Sequence, residues 1–440
     1  LKFVRKGVRA TVIGSANPGE PPAACRAARC FPPPDATFFP PPASRSESLG
    51  RSLPGWLILM GALTAIGPFS IDMYLPAFPT IAQNLGVARG DVERTLAAYL
   101  VGLAMAQVVY GPLADRYGRK LPVMAGLVLY IVASLGCALA GNIESLTWWR
   151  VIQALGGAAG VVIPRAVIRD HYETQDAARA MSLLMLIMGL APILAPLAGG
   201  QLLSIVGWRS LFWLMALAAA AMLTSVIFIM KESLAPERVV PLRWHTIFGN
   251  YGALLTHRSF LAHSLAGGLG QAGMFAYIVG SPRIFIEYYG VAPQYYGLLF
   301  GANAAALIVG SQVSARLLRR LQPATLQRRA QNALAIASLT AVVLTITGMM
   351  SLPLLMLCLI GYMFSQGFVN PNSAALALAE QGRRLGAASA MLGTLQLSCG
   401  ALAGLIISLW QTQSALPLTT VLAGCACLSW AAGRIARRGA

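Results

Sequence analysis

Long apolar runs broken by short polar and basic stretches occupy most of this chain. From Leu53 onward, runs of about 20 residues recur with almost no ionisable side chains, each long enough to cross ~30 Å of hydrocarbon at 1.5 Å per residue. The pattern predicts spanning helices at 54–79, 91–113, 121–141, 144–168, 179–203 and 208–230, then at 259–280, 294–318, 329–350, 353–377, 385–409 and 416–433. The connection 231–258 between these two sets is longer and more polar than any other. The expected architecture is an all-α membrane protein of twelve transmembrane helices. It comprises a six-helix bundle at 53–230, a cytoplasmic central loop at 231–258, a second six-helix bundle at 259–434 and a tail at 435–440. Residues 1–52 break the pattern: they are rich in Pro and Arg, hold no sustained apolar stretch and lack the h-region of a secretory signal. They are expected to be a disordered extension that need not be native.

Composition strengthens this picture. Of 440 residues, 57% are hydrophobic and 11% charged, where a soluble globular chain uses about 25% charged residues. The 33 Lys+Arg against 15 Asp+Glu would suit a nucleic-acid partner if they formed one face. They fall instead in short clusters between apolar runs, as orientation signals do. With a cytoplasmic N-terminus and the extension set aside, 20 basic residues lie on the inner side and four (Arg89, Arg94, Arg209, Arg283) on the outer. Both termini are therefore expected in the cytoplasm. Seven cysteines and four histidines (His171, His245, His257, His263) show no metal-ligand spacing, and no Gly-x-x-x-x-Gly-Lys-Ser/Thr phosphate loop is present. No metal, cofactor or enzymatic chemistry is expected.

The halves resemble each other. Gly111-Pro-Leu-Ala-Asp115-Arg116-Tyr-Gly118-Arg119-Lys120 has a degenerate counterpart in 311–320, Ser-Gln-Val-Ser-Ala-Arg-Leu-Leu-Arg-Arg. Parallel repeated halves are one organisation of secondary transporters. Ionisable residues deep in a bilayer are costly and usually functional, and Asp72 and Arg150 are the two that lie clearly inside the predicted spans. Both fall ~10 Å below the outer surface by helical rise. Opposite charges at matched depth suggest a pair. The residues alone leave two roles open for it: proton coupling, or a structural ion pair near the outer rim.

Three stretches resemble the major facilitator superfamily: the 111–120 loop, its signature loop; Arg150-Val-Ile-Gln153-Ala-Leu-Gly156-Gly157 in the fourth span; and Ala191-x-x-x-Ala195-Pro196-x-x-Gly199-Gly200 in the fifth, similar to the motif of its proton-coupled drug exporters, with two glycines replaced by alanine. Ser70-Ile-Asp72-Met-Tyr74-Leu-Pro76-Ala-Phe-Pro79 is similar to the opening of the bicyclomycin-resistance (Bcr/CflA) drug-efflux group, and the stretches 229–237 and 273–282 resemble the same group. The resemblance implies a proton/drug antiporter of the bacterial inner membrane that exports small lipophilic compounds such as bicyclomycin, sulfonamides or chloramphenicol-like molecules. Protons, drugs and membrane lipid would be the partners of a monomer, with no nucleic acid. It implies that Asp72 and Arg150 couple to protons. It also implies that Gly111, Asp115, Arg116, Gly118, Arg119 and Lys120 latch the cytoplasmic side, with Arg165 or Arg169 against Asp115 and Asp170 against Arg119. Ala191, Ala195, Pro196, Gly199 and Gly200 would serve packing and antiport. Some relatives carry a second acid two turns before Asp72, where this chain has Thr64. Polar and aromatic residues expected to line a substrate cavity are Tyr74, Gln153, Gln271, Tyr277, Asn303, Gln366 and Gln396. An uptake symporter of the same fold and a non-transporting sensor or scaffold are the alternatives.

Overall fold

The computed structural model describes residues 55–172, 174–235, 237, 239, 244–381, 385–410, 412 and 414–438. The predicted extension lies outside them, as do Arg383 and Arg384. Within the compact unit Glu47–Ala440, the described residues form helices and no strand. The first half holds α1 (Gly55–Asp72), a 3-10 turn (Leu75–Ala77), α2 (Phe78–Leu85), α3 (Arg89–Tyr117), α4 (Lys120–Ala138), α5 (Ile143–His171), α6 (Thr174–Val206) and α7 (Arg209–Ile229). The connection contains α8 (Trp244–Thr256), which the hydropathy pattern did not predict. The second half holds α9 (Arg258–Pro282) with a π-helical turn at Arg283–Tyr288, then α10 (Pro293–Leu317), α11 (Pro323–Ile346), α12 (Leu352–Leu378), α13 (Leu385–Leu409) and α14 (Leu416–Arg438).

The first predicted span is not one helix. Pro76 has no N–H to give the Asp72 carbonyl and Pro79 none to give that of Leu75, so the helical ladder lapses between α1 and α2. The chain resumes through the 3-10 turn and ends at Gly86, whose φ of 63° is left-handed and whose N–H donates to the Ala82 and Gln83 carbonyls. Asp72 is thereby the last residue of α1, at the break.

Among the described residues, eleven segments are long and apolar enough to cross a membrane. The predicted span at 259–280, observed as α9, is not among them, because His263, Gln271 and its glycines dilute its hydropathy. Seventeen of its residues are buried, and it lies against α12, α13 and α14. Protein takes the place of lipid around it.

The halves repeat in three dimensions. In the first, α3 packs on α5, α4 on α5 and α7, and α1 on α5, α6 and α7. In the second, α10 packs on α12, α11 on α12 and α14, and α9 on α12, α13 and α14. Each of these pairings in one half has its counterpart in the other. The seam between halves obeys the same symmetry: α3 lies along α13, and α6 along α10. Close approach depends on small residues, as expected where lipid gives no hydrophobic drive for helix association. At the α4–α5 crossing, a Cβ on Gly156 would lie 2.6 Å from the Gly126 carbonyl oxygen.

Candidate functional site: a buried acid at the seam and a latch at the loop end

Arg150 enters the first half from α5 and is completely buried. One terminal nitrogen donates to Gln153 Oε1 (2.6 Å) and the other to the backbone carbonyl of Ser70 (3.0 Å). Its guanidinium lies over the rings of Tyr99 (4.3 Å), Tyr74 (4.7 Å) and Phe212 (5.9 Å). Gln153 Nε2 passes the network to Ser134 Oγ (2.7 Å), and the Tyr74 hydroxyl hydrogen-bonds Thr95 Oγ1 (2.9 Å). The cage rests on the periodicity of α5, which sets Arg150 and Gln153 one turn apart on the face toward α1 and α4.

The expected Asp72–Arg150 pair is not formed: no ion pair or hydrogen bond joins the two among the described residues. Equal depth fixes a level in the bundle but not the direction around each helix. Arg150 points into the first half and holds the carbonyl two residues before Asp72. Asp72 is 3% exposed, and the tyrosines within electrostatic reach of it, Tyr277 on α9 and Tyr296 on α10, belong to the second half. The structure thus offers a buried carboxyl at the helix break, beside the turn that packs on α9 and α10 of the partner bundle, with a cation fixing the backbone two residues before it.

The fifth-span motif converges on the same break. Ala191 and Ala195 are buried on α6. A Cβ on Gly199 would strike the Met73 carbonyl, and one on Gly200 would lie 2.8 Å from the Pro293 carbonyl at the start of α10. Gly199 seats α6 on the residue after Asp72, and Gly200 seats it across the seam. Pro196 lies within the same helix.

The other predicted lining residues divide. Tyr74 and Gln153 are occupied by the arginine cage. In the second half, Asn303 Nδ2 donates to the Tyr277 hydroxyl (3.2 Å), and the Tyr277 ring stacks on Phe300 with centroids 5.4 Å apart. Gln396 Nε2 donates to Asn370 Oδ1 (2.9 Å). Among these lining residues, Gln271 Oε1, Asn303 Oδ1 and both side-chain amide atoms of Gln366 are buried without a hydrogen-bond partner, which leaves them with unmet hydrogen-bonding capacity.

At the loop end, Arg119 Nε donates to Asp170 Oδ2 (2.9 Å), the partner expected for it. Asp115 does not meet Arg165 or Arg169; its Oδ1 accepts from Arg119 as well (2.6 Å). One turn of α3 plus the bend at Gly118 suffices for that pairing, whereas Arg169 Nε donates to the Arg165 carbonyl and Arg165 reaches toward Met188 Sδ. Burial would lower the Arg119 pKa, but the two carboxylates outweigh it and hold it above its ordinary value. Gly118 has φ 85°, a conformation reserved for glycine, while Gly111 has open space around its Cβ position and supports no close approach. Arg116 is exposed, and Lys120 Nζ donates to the Ile227 carbonyl (2.8 Å).

Sequence reasoning missed Glu232. Its carboxylate accepts from the backbone N–H groups of Arg119 (2.8 Å), Lys120 (3.1 Å), Ser233 (2.9 Å) and Leu234 (2.9 Å). Burial would raise its pKa, but these four donors together hold it below the usual carboxylate range. Ser233 Oγ donates to Asp170 Oδ2 (3.2 Å), so the segment after α7 joins the latch at two points. The available signals were its place in the 229–237 stretch and directly after Lys231 at the end of an apolar run, neither of which named its partners. Among the described residues, no cluster of His, Cys, Asp and Glu is arranged to hold a metal ion.

A membrane-spanning bundle in two matching halves, with an acid at their seam, defines a multi-pass secondary transporter rather than an enzyme. The model of the Major Facilitator Superfamily matches residues 60–404, and the chain belongs to that superfamily. It is 36% identical over 368 residues to the MFS-type transporter YdgK of Bacillus subtilis, covering 83% of this chain and 90% of that protein. It is 31% identical to the multidrug resistance protein MdtL of Escherichia coli (81% and 87% covered). It is 28% identical to a bicyclomycin resistance protein homolog of Haemophilus influenzae (85% and 94% covered). These relatives place it with the bicyclomycin-resistance (Bcr/CflA) branch. Among solved structures, a peptide transporter POT in complex with alafosfalin shares the fold at TM-score 0.70 and 15% identity, over 88% of this chain and 95% of that one. An inward-facing bacterial homolog of the lysosomal transporter Spinster does so at TM-score 0.62 and 16% identity, over 87% and 96%.

Proposed function

We propose that this protein is a proton-coupled exporter of small lipophilic drugs in the inner membrane of a bacterium, with both termini in the cytoplasm. The observation that carries the reading is Asp72: a buried carboxyl without an ion-pair partner among the described residues, at the break of α1, next to the turn that packs on the second half. A carboxyl so placed changes neighbours when the halves rock, so its affinity for a proton differs between the two openings. Outward opening loads the proton and releases drug; inward opening releases the proton and admits drug. Arg150 serves as a positioning residue, through the Ser70 carbonyl rather than as a counter-ion. The loop around Asp115 and Arg119, with Glu232 and Asp170, closes the cytoplasmic end. Drugs of the bicyclomycin, sulfonamide and chloramphenicol type are the expected substrates, since relatives carry multidrug and bicyclomycin resistance names.

The direction is tested in inverted membrane vesicles acidified inside. An antiporter accumulates labelled drug in these vesicles, and an uncoupler abolishes the accumulation. Accumulation only when the gradient is reversed would replace export by uptake symport. Drug binding without movement into sealed vesicles under either gradient would leave a sensor or scaffold.

A further inference from the structure

At the end opposite the 111–120 loop, two ion pairs cross from the first half to the second. Arg89 on α3 meets Glu287 on the π-helical turn (2.5 Å), and Glu93 on α3 lies 3.5 Å from Arg283 Nε on the same turn. These are not surface decorations: Glu93 is 2% exposed and the Arg283 side chain 11%. Arg283 is anchored in its own half by donating to the Ile407 and Trp410 carbonyls (3.3 Å each) at the end of α13. Glu93 Oε2 is buried with no hydrogen-bond partner, although Oε1 has Arg283 as its ionic neighbour. The π-helical turn carries both Arg283 and Glu287, and such turns concentrate at functional positions because their backbone is easily rearranged.

We propose that Glu93 is a second proton-binding carboxyl of this protein and that it forms, with Arg283, a proton-released clasp between the two halves. This rests on the transport reading only in that the halves must separate here. The charged groups around Glu93 define the switch. Arg283 and Glu287 face it from the π-helical turn; Arg89, Asp91 and Arg94 share its helix end. α2 contributes no ionisable residue, and α13 contributes carbonyls through Arg283. A proton on Glu93 cancels its attraction to Arg283, leaving Arg89–Glu287, whose arginine is half-exposed, as the one ionic tie between the halves at this end among the described residues. A single pair whose arginine is half in water holds the halves less firmly than two pairs do. Proton binding from the outer side would therefore open the outer side.

The test uses the full-length protein in lipid nanodiscs, with native cysteines replaced and spin labels at positions 83 and 288, both exposed. Pulsed-dipolar distances are recorded from pH 5 to pH 9 without drug. The proposal expects a longer distance at low pH in the parent, the longer distance at every pH in Glu93→Gln, and restored pH dependence in Glu93→Asp. A Glu93→Gln profile that tracks the parent overturns it, as does a pH response removed by Asp72→Asn but not by Glu93→Gln. Circular dichroism confirms that each variant is folded. Because the readout needs no drug, a protein that moves none in vesicles yet widens at this seam would sink the transport reading and keep the clasp.

Discussion

Arg150→Lys should destabilise this protein more than Arg150→Met. The guanidinium makes two directed hydrogen bonds, to Gln153 Oε1 and the Ser70 carbonyl, and lies against Tyr74 and Tyr99. Hydrogen bonds to a charged group contribute about 1.5–3 kcal/mol each, and a desolvated cation over aromatic rings about 2 kcal/mol. Lysine keeps the buried charge but loses the planar fork that spans both acceptors, so about 3 kcal/mol is lost. Methionine loses the same bonds but also removes the desolvation cost of a buried cation without a carboxylate partner, several kcal/mol, and stays within about 2 kcal/mol of the parent. The assay is equilibrium unfolding in mixed micelles by added SDS, with Asp72→Asn combined with each variant. Because no ion pair joins Asp72 to Arg150 and their link runs through the Ser70 backbone, the double variants should depart from additivity by about 1 kcal/mol at most, well short of the several kcal/mol of a broken buried pair. A lysine variant close to the parent beside a collapsed methionine variant, rescued by Asp72→Asn, would restore the counter-ion role and refute this reasoning.

Further expectations concern the latch and the helix crossings. Glu232→Gln should lower the thermal midpoint at neutral pH; since the folded carboxyl titrates below the ordinary value of 4.5, its contribution is complete above that pH and fades as pH falls through the folded value, so parent and variant should converge only in strong acid. A constant difference down to pH 3 would contradict this. Gly156→Ala forces a Cβ to 2.6 Å from the Gly126 carbonyl oxygen and should cost about 3 kcal/mol, whereas Gly111→Ala, with open space, should be neutral or slightly stabilising. Mixed-micelle unfolding of the two variants side by side checks both.

Much of the fold was legible because lipid imposes a simple length rule on apolar runs, and the observed helices follow it closely. The departures have local causes. Pro76 and Pro79 divide the first span. The central α8 is too short to register as a crossing. α9 is surrounded by protein and needs less hydropathy. The site was legible at the level of residues but not of partners. Asp72, Arg150, Asp115 and Arg119 stood out as charges at unusual places, and Arg119–Asp170 was expected and is present. Yet Asp115 turned to its own helix end, and Arg150 turned away from Asp72. Facing around a helix axis depends on neighbours that periodicity does not name. Glu232, Glu93 and Arg283 lay hidden for the same reason: Glu232 reaches backbone more than a hundred positions earlier, and the Glu93–Arg283 tie crosses the seam.

The account stands or falls on Asp72 as the coupling acid. The most direct measurement follows internal pH with a trapped dye in proteoliposomes when drug is added, comparing the parent with Asp72→Asn at matched reconstitution. Drug-evoked proton movement in the parent, with none in Asp72→Asn while drug binding persists, is the predicted result. Equal proton movement in both would remove Asp72 from the coupling and contradict the account at its centre.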